Sequence, residues 1–246
     1  MFKATNQHGV HSPFIYNFVT KCLYDKTNYD AYSKLSHYIN TLLRNNDPFE
    51  ITDFGSGSKV FKSNTRTISA IAKNSGTPIK RAKLFYRLTQ YFKPKSTLEL
   101  GTSLGIATHA IALGSPKNEI TSIEGCPKIS AYTKHQLAIS KIKNVVVKTG
   151  AFKIVLPKLK EKSFDLIFFD GHHDKVATIA YFESLLPKAH NESLFVFDDI
   201  YWSKGMTEAW DYIKAHHSVT VTVDCFHLGF VFFRKEQVKE NFKIRV

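Results

Sequence analysis

The strongest constraint on this chain lies in residues 96–113, STLELGTSLGIATHAIAL. Thr97 to Leu100 is an apolar run of strand length, and Ile106 to Leu113 carries apolar residues at helical steps. Gly101 and Gly105 frame a tight turn between them. A strand that turns on glycine straight into a helix brings backbone N–H groups close to a polar ligand. The next apolar run, Ile120 to Glu124, ends in a carboxylate. In doubly wound sheets an acid about twenty positions after the glycines reads a ribose hydroxyl. Gly101 and Glu124 have that layout.

From Thr97 onward strands and helices alternate with short connections. The patterns predict strands at 97–100, 120–124, 145–148, 166–169, 194–197, 219–223 and 228–233, with helices starting near Ile106, Pro127, Phe152, Lys175 and Ser203. Only Asp224-Cys-Phe-His227 separates the last two strands, too little for a crossover helix, so they must form a hairpin. The expected fold is α/β: a Rossmann-like, doubly wound, seven-stranded sheet with an antiparallel last strand, preceded by an N-terminal helical extension. Residues 1–95 make that extension, read as a lid, and 96–246 the ligand-binding domain. In the extension Ser12 caps a helix opened by Pro13, and Tyr29 to Leu43 is amphipathic. Further helices are expected at Thr65–Lys73 and from Pro78 to Phe92, the second capped by Thr77. Asp53-Phe-Gly-Ser-Gly-Ser-Lys59 imitates the glycine turn, but no strand ending in an acid follows it, so it reads as a polar loop.

Four stretches, in this order, carry a family resemblance: Glu99-Leu-Gly-Thr-Ser-Leu-Gly105, Ile123-Glu-Gly125, Phe164-Asp-Leu-Ile-Phe-Phe-Asp-Gly171 and Leu194-Phe-Val-Phe-Asp-Asp-Ile-Tyr-Trp202. Together they resemble class I S-adenosylmethionine-dependent methyltransferases, above all the catechol and caffeoyl-CoA type of O-methyltransferase and its bacterial relatives. The resemblance implies S-adenosylmethionine as cofactor and a small hydroxylated acceptor. Glu124 would hold the ribose hydroxyls. Glu99, Gly101, Thr102, Ser103 and Gly105 would line the methionine end, with Asp170 beside them. Gly150, Ala151 and Phe152 would meet the adenine, although the family often has Asp or Asn where Ala151 stands. Asp170, Asp198 and Asp199 match positions that bind a divalent cation such as Mg²⁺, a hard ion suited to carboxylate oxygens. His173 stands where the family has a lysine base, and an imidazole is suited to taking a hydroxyl proton. The plainer role for His172 and His173 is to cap the helix starting at Lys175. Tyr201 and Trp202 are candidates for stacking on a planar acceptor, or for packing alone.

Bulk properties narrow the classes further. A chain of 246 residues, 43% apolar, buries one good core. It has no apolar run of transmembrane length, and the start of the chain has no signal-peptide core. Cys22, Cys126 and Cys225 are an odd, scattered set without C-x-x-C spacing, which points to a reducing cytoplasmic setting and against a disulfide or zinc framework. The net charge of +13 concentrates between Asp53 and Glu99, where Lys and Arg occur and no acid does. Such a stretch attracts anionic partners, so an anionic acceptor is one expectation and RNA ribose an alternative. Against nucleic-acid base chemistry, no Asn/Asp-Pro-Pro-Tyr or Pro-Cys motif is present. A G-x-G-x-x-G spacing, expected of a nicotinamide enzyme, is also missing. A non-catalytic cofactor-binding module is the remaining alternative. Self-association is left open.

Overall fold

Local capping residues set the starts of four helices. The computed structural model describes residues 5–52 and 65–246. The N-terminal elements are α1 (Pro13–Phe18), α2 (Ala31–Arg44), β1 (Pro48–Glu50), β2 (Thr65–Thr67), α3 (Ile68–Ser75) and α4 (Ile79–Phe92). Next come β3 (Ser96–Leu100), α5 (Ile106–Gly114), β4 (Glu119–Glu124), α6 (Pro127–Ile139), β5 (Val145–Thr149) and α7 (Phe152–Val155). The last are β6 (Leu166–Phe169), α8 (Lys175–Leu185), β7 (Leu194–Asp198), α9 (Lys204–Ala215), β8 (Val221–Asp224), β9 (Leu228–Phe232) and β10 (Glu240–Lys243). Ser12, Thr67, Asp174 and Ser203 each accept a first-turn N–H with the side chain, so four helices start on a satisfied cap. Each such cap is worth about 1 kcal/mol.

Two expected helix starts are corrected. Thr65–Thr67 is a strand, because this β-branched triplet pairs antiparallel with Pro48–Glu50, and the helix begins only at Ile68. Pro78, not Thr77, is the N-cap of α4, its extended backbone (ψ 150°) leaving Ile79 to open the helix. The loop at Asp53–Lys59 lies outside the described residues.

The sheet has eight strands rather than seven, in the order β10-β8-β9-β7-β6-β3-β4-β5. The expected hairpin is present: β9 runs antiparallel to both β7 and β8. The added strand, β10, lies parallel to β8 at the edge. Among its residues only Phe242 is buried, so its sequence lacks the alternation that announces a half-buried strand. Among the described residues no helix is long and apolar enough to cross a membrane.

The chain forms two compact units. The first takes the chain up to Asp25, Ser96–Leu98 and everything from Lys160 on. Its core is aromatic. Phe18 meets Phe230 and Phe232 edge-on at 5.3 and 5.7 Å, and Phe169 stacks on Phe197 at 4.2 Å. Each such ring removed from water contributes about 1.5–3 kcal/mol. Gly229 lets β9 lie against the Trp210 ring, since a Cβ there would fall 2.7 Å from it. The second unit comprises Lys26–Lys95 and Glu99–Leu159. It is built on the fully apolar face of α5, where Ala110 and Ile111 are completely buried, packed with α4 and α2.

Candidate functional site

In the second unit the candidate site is the turn from β3 into α5. The backbone reverses through three left-handed residues, Gly101 (φ 103°), Ser103 (φ 47°) and Gly105 (φ 74°). Glycine is required at position 105 on two counts, because a Cβ there would also lie 2.6 Å from the Thr133 methyl group. The turn is tied to β4 by the N–H groups of Gly101 and Thr102, which both donate to the Ile123 carbonyl at 2.9 and 3.2 Å.

Glu124 is turned toward this bend. Its Oε2 accepts the Ser103 N–H and its Oε1 the Cys126 N–H, both at 2.8 Å. Backbone donors thus orient the carboxylate at the bend. The Glu124 carbonyl accepts the Gly150 N–H at 2.9 Å, which seats Gly150 (φ 145°) and the following Ala151 at the end of β5. Ala151 is the N-cap of α7 and has no side-chain oxygen to offer, whereas Phe152 is buried.

Glu99 is fully buried, and its Oε2 accepts the hydroxyls of Thr108 (2.6 Å) and Ser122 (2.5 Å). Because Ser122 uses its proton on Glu99, Thr102 must be the donor in the 2.6 Å Thr102–Ser122 contact. The Glu99 carboxylate therefore anchors the turn from within the protein.

In the first unit the candidate residues lie at the carboxyl ends of β6 and β7. Asp170 follows β6, and its Oδ1 lies 3.5 Å from Nε2 of His173. Burial opposes the charged imidazole, but the Asp170 hydrogen bond and the charges of Asp170, Asp198 and Asp199 outweigh it. The His173 pKa is raised above the ordinary histidine value. The three acids therefore act on one imidazole. The backbone here is strained: His172 (φ 67°), His173 (φ 37°) and Asp199 (φ 52°) are all left-handed without being glycine. Asp198 is buried, and its Oδ1 accepts the Asp199 N–H at 2.9 Å.

The capping role considered for His172 and His173 belongs to Asp174, which accepts the Ala177 N–H at 3.0 Å. Tyr201 donates its phenol to Asp224, and its ring lies 5.7 Å from Phe226, tilted by 34°. Burial and that carboxylate push the phenol pKa well up. Trp202 is about half exposed, at 51%. Among the described residues no group of three or more His, Cys, Asp or Glu side chains is arranged to hold a metal ion.

Three residues of the turn region gave no sequence signal as functional groups. Thr133 on α6 donates its hydroxyl to the Ser103 carbonyl (2.7 Å), and Tyr38 on α2 donates to the Leu104 carbonyl (2.5 Å). His109 on α5 contacts the Gly105 carbonyl through Nδ1 (2.8 Å). His109 alone was within reach of sequence reasoning, four positions after Gly105 on a helix. Tyr38 and Thr133 come from distant parts of the chain.

Residues 98–200 match a family model described as a methyltransferase domain. A catechol O-methyltransferase of Niastella koreensis is 29% identical over 178 residues, covering 70% of this chain and 75% of that protein. The S-adenosylhomocysteine-bound methyltransferase PaMTH1 of Podospora anserina superposes with a TM-score of 0.64 at 15% identity, over 92% of this chain and 97% of its own. An O-methyltransferase of Bacillus cereus, also with S-adenosylhomocysteine, gives 0.56 at 18% identity, over 84% and 92%.

Proposed function

We propose, from the premise that this chain is a class I S-adenosylmethionine-dependent methyltransferase, that it methylates a hydroxyl oxygen of a small acceptor. The observation that carries the reading is Glu124, whose two oxygens are aimed by the Ser103 and Cys126 N–H groups while the carboxylate stays at the glycine bend. The residues fit the cofactor. Glu124 would accept the ribose hydroxyls. Gly101, Thr102, Ser103 and Gly105, whose own N–H groups are used to fix the bend, would line the methionine end with their backbone, and Glu99 would support them from the interior. Gly150, Ala151 and Phe152 would lie along the adenine, where a backbone N–H replaces the side-chain contact that Ala151 cannot make. When bound, the cofactor supplies an electrophilic methyl group on a sulfonium sulfur.

The protein's remaining task is to present a nucleophilic oxygen. His173, held by Asp170 and made more basic by the surrounding acids, is the group proposed to take the hydroxyl proton. Asp170 then stabilises the imidazolium that forms. Correct placement of the oxygen supplies much of the remaining rate, because an aligned displacement needs little further reorganisation.

A divalent cation does not fit the arrangement as it stands. Asp170, Asp198 and Asp199 have the right donor chemistry, but among the described residues no three His, Cys, Asp or Glu side chains are arranged as a group that holds a metal ion. No step is therefore derived through a metal. Loss of activity in excess chelator, with recovery on Mg²⁺, would assign the three acids to an ion instead.

The name of the Niastella relative favours an oxygen acceptor of low molecular weight over RNA ribose or a non-catalytic module. The net charge of +13 extends the proposal to acceptors that carry an anionic group. Calorimetric titration with S-adenosylhomocysteine tests the cofactor site. Wild-type protein is expected to bind, and Glu124→Ala to lose affinity by about a hundredfold, since a charge-assisted pair of hydrogen bonds disappears. Unchanged affinity in Glu124→Ala would remove the assignment. Label transfer from methyl-labelled cofactor to a phenol, with none to its methyl ether, tests the oxygen specificity.

A further inference from the structure

We infer that Tyr38, Thr133 and His109 are positioning residues that hold the cofactor turn open for its ligand. The inference rests on the S-adenosylmethionine reading of that turn. Three consecutive carbonyls, those of Ser103, Leu104 and Gly105, each contact a side chain from a different helix: α6, α2 and α5. A peptide unit is planar and trans, so its N–H points opposite to its C=O. Seating the Ser103 and Gly105 carbonyls on the protein therefore directs the N–H groups of Leu104 and Ile106 away from those donors. The Gly105 carbonyl also accepts the His109 N–H at 2.9 Å, and the Leu104–Gly105 peptide is held by the Gly105 N–H on the Thr102 carbonyl at 2.8 Å, so the side-chain donors tighten a bend that the backbone holds from one side only. Without them the Ser103 carbonyl would turn its negative end more readily toward the carboxylate of the methionine end.

The three donors are built into one cluster. The Tyr38 ring stacks on the His109 ring, with centroids 3.9 Å apart and planes 18° from parallel. A carbonyl only accepts, so His109 carries its proton on Nδ1 toward Gly105, and Nε2 accepts from the Ser140 hydroxyl at 3.0 Å. Thr133 touches the turn twice, through its hydroxyl on Ser103 and its methyl group against Gly105. Tyr38, Thr133 and His109 are buried, at 6, 0 and 2% exposure, so water does not substitute for a lost donor at low cost. Tyr38 also gives the N-terminal helices a part in the reaction. α2 supplies one of the donors that shape the turn, so the residues before β3 belong functionally to the cofactor site.

The test uses the full-length protein and the variants Tyr38→Phe, Thr133→Val and Thr133→Ser. Each is titrated with S-adenosylhomocysteine and assayed over a range of S-adenosylmethionine concentrations. Tyr38→Phe and Thr133→Val are expected to weaken S-adenosylhomocysteine binding about tenfold. KM for S-adenosylmethionine should rise with them and kcat should stay within about twofold, because the turn binds ground state and transition state alike. Thr133→Ser keeps the hydroxyl and is expected to retain wild-type affinity. Thermal unfolding without ligand reports the structural cost separately. The inference is overturned if Tyr38→Phe and Thr133→Val lower the melting temperature but leave affinity unchanged. It is equally overturned if Thr133→Ser, which keeps the hydroxyl, loses as much affinity as Thr133→Val, since the loss would then follow any change of the side chain and not the hydrogen bond. Failure of the wild-type protein itself to bind S-adenosylhomocysteine would refute the cofactor reading, a result distinct from either of these.

Discussion

The glycine turn of the second unit and the acidic strand ends of the first are built on opposite plans. At the turn the polar groups are tied into the protein: Glu124 accepts two backbone donors, Glu99 accepts two hydroxyls on one oxygen, and three successive carbonyls meet three side chains. Left-handed backbone is taken there mainly by glycine. At the strand ends, left-handed backbone is taken by two histidines and an aspartate, and the charges of Asp170, Asp198 and Asp199 favour the protonated form of one imidazole. The first arrangement is preorganised to bind. The second keeps charge and strain in place, which makes it suited to moving a proton and expensive as a purely structural feature.

The comparison is most directly broken by kinetics. Asp170→Asn and His173→Gln are each expected to lower kcat by about 10²–10⁴, with S-adenosylhomocysteine affinity unchanged by calorimetry. An equal loss of cofactor affinity would show that the two regions do not divide binding from proton transfer as proposed.

A smaller effect should appear in stability against pH. Burial lowers the His109 pKa to about 4, the Gly105 carbonyl offsetting only part of this. In the unfolded chain the group titrates near 6.5. The unfolded state therefore takes up a proton first as pH falls, so the contribution is complete above about pH 6.5 and is lost between there and about pH 4. The loss amounts to roughly 3 kcal/mol. Denaturant titrations across that window should show it in the wild type and not in His109→Gln, relative to each protein's own value at pH 7.5. A wild-type curve no steeper than that of the variant would contradict a neutral, buried His109.

The smallest effects have opposite signs in the two regions. Gly105→Ala should destabilise by about 1–3 kcal/mol, through left-handed strain and the contact with Thr133. His172→Gly should instead stabilise by about 0.5 kcal/mol, because glycine tolerates the φ that histidine resists. Melting temperatures of both variants check the pair, and a loss of stability in His172→Gly would mean that its contact with Tyr181 at 5.6 Å outweighs the strain.

Much of this was legible in the residues. Ser12 followed by Pro13 marked the start of α1, and the short Asp224–His227 link required the β8–β9 hairpin. Glu124, at the tip of its strand, was readable from spacing alone. Three strands, Pro48–Glu50, Thr65–Thr67 and Glu240–Lys243, escaped for identifiable reasons. Glu240–Lys243 is three-quarters exposed, so nothing in its pattern separated an edge strand from a loop. Thr65–Thr67 is a strand only because Pro48–Glu50 pairs with it, and triplets that short carry no period of their own. Glu99 was expected at the ligand but is buried among hydroxyls, since its burial depends on Thr108 and Ser122 converging from two different elements.

By itself the sequence determined the alternation of strands and helices from β3 to β9, the antiparallel turn-back of β9, and the residue types at those strand tips. Those follow from local rules: period, capping, loop length and the freedom of glycine. Only the tertiary structure decided which donor meets which carbonyl and which charges share a space. Tyr38 and Leu104 are 66 residues apart, and Thr133 and Ser103 are 30 apart. No local pattern records such pairs, because they exist only once helix packing has brought their backbones together.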